Sequence, residues 1–125
     1  ALVCIRGLGD FYSDYWRDVI IPPQCEGRTL TLTHDPNGLV QKTPNSVETL
    51  SFAGHTHCGQ VKLPFLTQFS IPSEAPSELQ CGKFMLGFSG VVTGGISTSI
   101  IPVRFGKGME PSWDFVSVSS QVHQR

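Results

Sequence analysis

A segment with two histidines, Gly54-His55-Thr56-His57-Cys58-Gly59-Gln60, follows a run of β-branched and apolar residues at 47–53. Such a run predicts a strand, so the histidines lie where that strand ends. On an extended backbone, side chains two residues apart point to the same side and lie roughly 6 to 7 Å apart. Both imidazoles could therefore face one metal ion or two neighbouring ions. The two glycines permit the sharp backbone path of a ligand loop.

The His-x-His spacing is weak evidence by itself, because four histidines in 125 residues give such a pair by chance about one time in ten. His34 adds weight, since it ends a second predicted strand at 29–33 and is followed by Asp35-Pro36. Histidines at the ends of two strands indicate a site. Asp35 is expected to cap a helix rather than to bind metal. His123 lies in a polar tail and is expected to be solvated.

Strands dominate the rest of the chain. Runs rich in β-branched and apolar residues predict strands at 2–8, 29–33, 47–53, 60–66, 83–93, 100–105 and 113–118. Helical signal is limited to residues 13–21, which end at Pro22-Pro23, and to a short helix that begins after Asp35. Residues 67–80 contain two prolines and no periodicity, which predicts a surface loop. The pattern is that of a strand-rich α/β domain.

Composition excludes several classes of protein. The chain has 125 residues, 39% of them hydrophobic and only 15% charged, which is typical of one folded domain rather than of disorder. Its net charge is −1 and it has no basic run, so no nucleic-acid-binding patch is indicated. Residues 84–103 are uncharged and long enough to cross a bilayer. Their glycines, serines and proline instead predict strand, glycine loop and strand.

The four cysteines are spread evenly, at positions 4, 25, 58 and 81, and form no Cys-x-x-Cys pair. This spacing indicates neither a zinc knuckle nor a disulfide framework, so free thiols in a reducing compartment are expected. Cys58 is next to His57, and adjacent side chains on an extended backbone point in opposite directions. We therefore expect Cys58 to have no role as a ligand and its replacement by glycine to be nearly neutral.

Three separated segments together resemble the calcineurin-like metallophosphoesterases. The seven residues 54–60, called the heptad below, are followed by Leu63-Pro64 and preceded by Leu32-Thr33-His34-Asp35-Pro36. Together these segments are similar to the last two motifs of that family. The nearest resemblance is to the bacterial branch with the signature Gly-His-Thr-His-Gly-Gly-Gln. Residues 92–99, followed by Pro102-Val103-Arg104-Phe105, resemble the C-terminal segment of that branch. The resemblance covers residues 2–118.

The resemblance implies an α/β fold in which this chain is the strand-rich C-terminal part of a two-sheet metallophosphoesterase sandwich flanked by helices. It implies two divalent metal ions, Mn, Fe, Zn or Co, with His34 and His55 on one ion and His57 on the other. The implied activity is hydrolysis of phosphate esters, as a phosphodiesterase or phosphatase, on a nucleotide-linked or lipid substrate. The implied location is the bacterial cytoplasm, or a membrane with which the complete protein associates.

Other motifs of the family, Asp-x-His, Gly-Asp and Asn-His-Asp/Glu, do not occur here in the family's order. Residues 1–125 are therefore expected to be a single partial domain, the C-terminal half of the phosphoesterase, with exposed apolar strand surface and no catalytic residue beyond the metal ligands. The alternative hypothesis is a non-catalytic metal-binding module that keeps the histidines without the carboxylates. Arg104 could bind a substrate phosphate, but a structural ion pair is the expected role.

Overall fold

The computed structural model describes residues 3–13, 20–40, 50–63, 73–100, 102–106, 108 and 110–117. Five strands and one short helix are β1 (Cys4–Gly7), β2 (Thr29–Leu32), α1 (Asn37–Val40), β3 (Leu50–Ala53), β4 (Gly82–Met85) and β5 (Ser89–Val92). Three single 3₁₀ turns lie at Pro23–Cys25, His57–Gly59 and Ser77–Leu79. The described part of the chain is thus a small α/β domain with few helices.

The strands form one mixed sheet in the order β1-β2-β3-β5-β4. Strands β1, β2, β3 and β5 run parallel to one another, and β4, at the end of the sheet, runs antiparallel to β5. Because four strands point the same way, the loops that follow them all leave from one edge of the sheet. This carboxyl edge is where ligands bind in open parallel sheets.

The two faces of the sheet differ in burial. On one face Arg6, Thr31, Ser51 and Gly90 are adjacent in register and all are buried. On the other face Ile5 is 71% exposed and Leu32 is 44% exposed. Side chains alternate between the faces of a strand, so these two residues expose apolar surface on this face, whereas Val91 of β5 is buried there. The expected exposure of apolar strand surface is therefore confirmed for Ile5 and Leu32.

The hydrophobic core lies beneath the carboxyl edge. It is formed by residues at the ends of strands and in the turns after them: Leu8, Leu39, Ala53, Ala75, Leu79, Phe84 and Val92, with Phe88 packed against them. Seven of these side chains are nearly removed from water, and each buried Leu, Val or Phe among them contributes about 1.5 to 3 kcal/mol. The loops at the carboxyl edge are therefore packed directly against the hydrophobic core of the domain.

Gly90 in β5 is required by close packing. A Cβ atom at this position would overlap the carbonyl oxygen of Ser51 on β3 and would lie 2.6 Å from Cζ of Phe84 on β4. The Phe84 ring thus covers the strand where Gly90 has no side chain. This contact joins the antiparallel hairpin to the parallel strands.

The strand predictions at 2–8, 29–33 and 47–53 are confirmed by β1, β2 and by β3 within its described residues. The prediction of one strand at 83–93 is wrong in detail, because a turn with Gly87 at φ +72° divides it into β4 and β5. In the described parts of 60–66 and 100–105, only an isolated bridge joins Val61 to Phe105. No strand is present in the described residues 113–117.

The short helix predicted after Asp35 is confirmed by α1. The predicted helix at 13–21 lies mostly outside the described residues. Residues 84–103 contain parts of the β4–β5 hairpin rather than a bilayer-crossing helix. Among the helices that the structure describes, none is long and apolar enough to span a membrane.

Candidate metal centre

His34 and His55 follow neighbouring parallel strands, so the sheet itself brings them together. His34 comes two residues after β2, and His55 comes two residues after β3. The ladder continues past both strands, because Thr33 donates to the Phe52 carbonyl and Gly54 donates to the His34 carbonyl, each at 3.0 Å. These backbone bonds fix the two histidine Cα positions side by side at the carboxyl edge.

The imidazole rings of the two histidines are in direct contact. His55 Nδ1 lies 3.0 Å from His34 Nε2, and the ring centroids are 4.9 Å apart with planes at 74°. Two imidazoles on one ion, each with a metal–nitrogen distance of about 2.0 to 2.1 Å, have nitrogens about 3.0 to 3.4 Å apart. The observed separation is compatible with two ligands of a single divalent ion. His34 is exposed and the His55 side chain is 24% exposed, so the pair is open to solvent.

Asp35 stands behind His55 and is completely buried. Its Oδ1 accepts hydrogen bonds from the backbone N–H of Asn37 at 2.7 Å and from the Ser73 hydroxyl at 3.4 Å. The predicted helix cap is thereby confirmed. Its Oδ2 lies 3.2 Å from His55 Nε2, a contact that the sequence analysis missed. The sequence offered one signal for this contact, which is an acidic residue directly after a histidine at the end of a strand.

His57 is held by Arg104 rather than by the histidine pair. The Arg104 guanidinium donates to the His57 carbonyl at 3.4 Å, and its Nη2 is 3.4 Å from His57 Nδ1. Arg104 also donates to the carbonyls of Gly94 at 2.7 Å, Gly95 at 3.1 Å and Ser97. These contacts, all to backbone carbonyls, support the expected structural role of Arg104.

The heptad is not extended, which corrects the geometry expected from its sequence. His55, His57, Cys58 and Gln60 all have positive φ, at 64°, 49°, 55° and 48°, and residues His57–Gly59 form a 3₁₀ turn. The same-side argument for residues two apart therefore does not apply. Left-handed backbone costs roughly 1 to 2 kcal/mol for each residue with a Cβ. Four such residues need strong tethers.

Those tethers include a disulfide, two side chains and the bond of 3.0 Å from the Phe105 N–H to the Gln60 carbonyl. Cys58 is bonded to Cys81, and the buried Thr56 hydroxyl donates to the Gln80 carbonyl at 2.7 Å. The Gln60 amide donates to the Ser99 carbonyl at 3.0 Å and accepts from the Ser99 N–H at 2.7 Å. The loop is thus fixed to the turn before β4 and to the segment after β5.

The prediction of free thiols is wrong, because Cys4–Cys25 and Cys58–Cys81 are both disulfides. Even spacing along the sequence concealed the pairs, which the parallel sheet and the turn before β4 bring together. Cys58 is accordingly a structural residue of the loop rather than a residue without a role. Disulfides persist mainly in oxidising compartments, which speaks against the expected reducing one.

An aromatic side chain borders the histidine pair. The Tyr12 ring centroid lies 6.2 Å from that of His55, and the Tyr12 hydroxyl accepts from Asn37 Nδ2 at 3.3 Å. Two cavities lie elsewhere, one of about 430 Å³ beside β1 and one of about 310 Å³ beside β3 and β5.

Across the described ranges, no group of three or more His, Cys, Asp or Glu side chains is arranged to hold a metal ion. Comparisons with family models, curated proteins and solved structures gave no match for this chain. The pair supplies two donors, and Asp35 lies on the far nitrogen of His55 instead of facing the same point. The assignment of His57 to a second ion stays a prediction.

Proposed function

We propose that this chain supplies histidine ligands to the dinuclear metal centre of a hydrolase that cleaves phosphate esters, as a phosphodiesterase or phosphatase. The observation that carries the proposal is the contact of 3.0 Å between His34 Nε2 and His55 Nδ1 at the carboxyl edge of the sheet. It agrees with the pairing on one ion that the sequence resemblance implies. His57 would serve the second ion.

The donor set fits the proposed metals. Neutral imidazole suits Mn, Fe, Zn and Co, and the two donor nitrogens have the separation expected of neighbouring ligands. Bound divalent ions would supply Lewis-acid activation of the phosphoryl group and charge neutralisation in an in-line displacement. An imidazole ligand brings no charge to the ions, so the carboxylates of the family motifs that this chain lacks would offset the remaining charge.

The chain's own residues would mainly fix ligand geometry. The strand ladder sets the spacing of His34 and His55, and Arg104 ties the His57 carbonyl to the turn after β5. Tyr12, 58% exposed beside His55, is placed to contact the organic part of a phosphoester. Its apolar ring would favour a substrate with a flat or lipid-like group, in keeping with the nucleotide-linked or lipid substrates proposed.

The two-sheet sandwich is part of the same proposal. Ile5 and Leu32, on one face of the sheet, are apolar and exposed, which supports a second layer packed against that part of the face. Strand β1 lies at the end of the described sheet order, where further strands could pair. Both features suit the C-terminal part of a larger sandwich.

The decisive experiment uses the gene product that contains these residues, loaded with Mn²⁺ and assayed on bis(p-nitrophenyl) phosphate. His34→Ala and His55→Ala should each lose bound metal and lower turnover by orders of magnitude, because an emptied ligand position disrupts the metal site. His123→Ala, a histidine of the polar tail, is the matched control and should behave as the unmodified protein. Undiminished turnover by His55→Ala would contradict the proposal.

The same measurements separate hydrolysis from simple metal binding. A protein that binds Mn²⁺ through His34 and His55 and hydrolyses no phosphoester would favour the non-catalytic module. For residues 1–125 expressed alone, we expect weak metal binding and no detectable hydrolysis, because the chain lacks the carboxylates and the general acid of the family motifs.

A further inference from the structure

We infer that Asp35 is a positioning residue that holds the proton of His55 on Nε2 and so makes Nδ1 the metal-binding nitrogen. The inference rests on the proposed function for the identity of the ligand, but its structural part concerns the metal-free chain. Asp35 touches neither metal nor substrate in this account. It acts through the ring of His55.

Burial and geometry define the role of Asp35. The side chain is 0% exposed, and its Oδ2, which makes no hydrogen bond within the described part of the chain, lies 3.2 Å from His55 Nε2. A lone pair on Nε2 would face the carboxylate, whereas an N–H there needs only a small rotation of the ring to donate to Oδ2, so the ring proton is assigned to Nε2. In this neutral tautomer the lone pair of the ring lies on Nδ1. Histidine ligands are commonly oriented by a carboxylate in this way.

The direction of the contact with His34 follows. His55 Nδ1 is an acceptor, so His34 donates from Nε2 across the 3.0 Å contact when no ion is bound. Ligation through His34 Nε2 requires that this nitrogen give up its proton, which passes through water to His34 Nδ1 and leaves the ring neutral. His55 needs no such change. Asp35 thus prepares one of the two ligands before an ion arrives.

The environment of Asp35 explains why an isosteric amide could not replace it. Its Oδ1 accepts from the Asn37 N–H at 2.7 Å, and this donor would hold the amide oxygen of Asp35→Asn in the same place. The NH₂ group would then occupy the position of Oδ2 and donate to His55 Nε2. His55 would carry its proton on Nδ1, where no lone pair remains for an ion. The helix cap would be preserved, since Asn and Asp cap helices equally well.

Nitrogen-15 NMR of the histidine rings in the metal-free chain, at mildly alkaline pH, reads the tautomer directly. The unmodified chain should show His55 protonated on Nε2, and Asp35→Asn should show it protonated on Nδ1. Calorimetric titration with Zn²⁺ should then give a 10- to 100-fold weaker affinity for Asp35→Asn. Asp114→Asn removes an equivalent charge from an exposed position and should change neither readout.

The outcomes are distinguishable. An Nδ1–H tautomer of His55 in the unmodified chain would overturn the inference, even if the variant failed to fold. A tautomer change in Asp35→Asn with unaltered Zn²⁺ affinity would overturn ligation through Nδ1. Failure of the unmodified chain to bind Zn²⁺, with His55 protonated on Nε2, would remove the proposed metal site but support the inference that Asp35 holds the proton on His55 Nε2.

Discussion

Removal of the Cys58–Cys81 disulfide is expected to lower both the stability of the chain and its affinity for a divalent ion. The bond closes a loop with a sequence separation of 23 residues, and the chain-entropy relation assigns it about 3.4 kcal/mol. The Cys4–Cys25 bond, with a separation of 21, is worth about 3.3 kcal/mol on the same basis. The two disulfides therefore contribute nearly the same free energy of unfolding, but only one of them lies beside the histidine pair.

Of the two disulfides, only Cys58–Cys81 is attached to the loop that carries His55 and His57. Four residues between positions 55 and 60 have left-handed backbone, which costs at least about 4 kcal/mol in total. Without the disulfide, the remaining contacts include three hydrogen bonds of the Thr56 and Gln60 side chains, the Phe105 N–H bond to the Gln60 carbonyl at 3.0 Å and the Arg104 contact with the His57 carbonyl. At a net value of about 1 kcal/mol each, these contacts only about balance the backbone cost. The loop should therefore loosen beyond residue 54 and orient the His55 ring less well, although the strand ladder still holds the backbones of His34 and His55 together.

The assay compares Cys58→Ala/Cys81→Ala with Cys4→Ala/Cys25→Ala under non-reducing conditions. Urea unfolding should show a similar loss of stability for both double variants. Calorimetric titration with Zn²⁺ should show at least a tenfold weaker affinity for the first variant and little change for the second. Equal Zn²⁺ affinities in the two variants would refute the argument that the disulfide maintains the metal site.

Three further substitutions test other parts of the account. His57→Ala in the gene product that contains these residues should lower phosphodiester turnover by orders of magnitude, and near-normal turnover with Mn²⁺ would exclude His57 as a ligand. Gly90→Ala should destabilise the chain by about 1 to 3 kcal/mol in urea unfolding, because a Cβ meets the Ser51 carbonyl and the Phe84 ring. Arg104→Lys should lower the melting temperature of the chain. The single ammonium of lysine cannot replace a guanidinium that donates both to the His57 carbonyl and to the turn after β5. An unchanged melting temperature would contradict this structural role of Arg104.

Local sequence patterns predicted strands β1, β2 and β3 and the place of two histidines at strand ends. Runs of β-branched residues at 29–33 and 47–53 marked β2 and β3, and the histidines after them lie at the carboxyl edge, as strand-end residues of a parallel sheet must. Asp35 was predicted as a cap because Asp before Pro and a helix has a local signature. These features depend on neighbours in sequence, which a single sequence displays.

Features that depend on distant contacts were missed. Both disulfides join cysteines more than 20 residues apart, and nothing in their spacing shows that the fold brings them together. The heptad was expected to be extended, because the disulfide and the Gln60–Ser99 bonds that stabilise its left-handed residues come from other segments. Likewise, residues 113–117 have the composition of a strand, yet strand formation also needs a partner with free backbone groups.

The central claim is that one divalent ion is bound by His34 Nε2 and His55 Nδ1. X-ray absorption at the zinc edge, on the chain loaded with one equivalent of Zn²⁺, measures the ligands directly. We expect two imidazole rings with nitrogens at about 2.0 to 2.1 Å from the zinc ion, and one ring after His55→Ala. A coordination shell of oxygens without imidazole, or a shell that His55→Ala leaves unchanged, would contradict it.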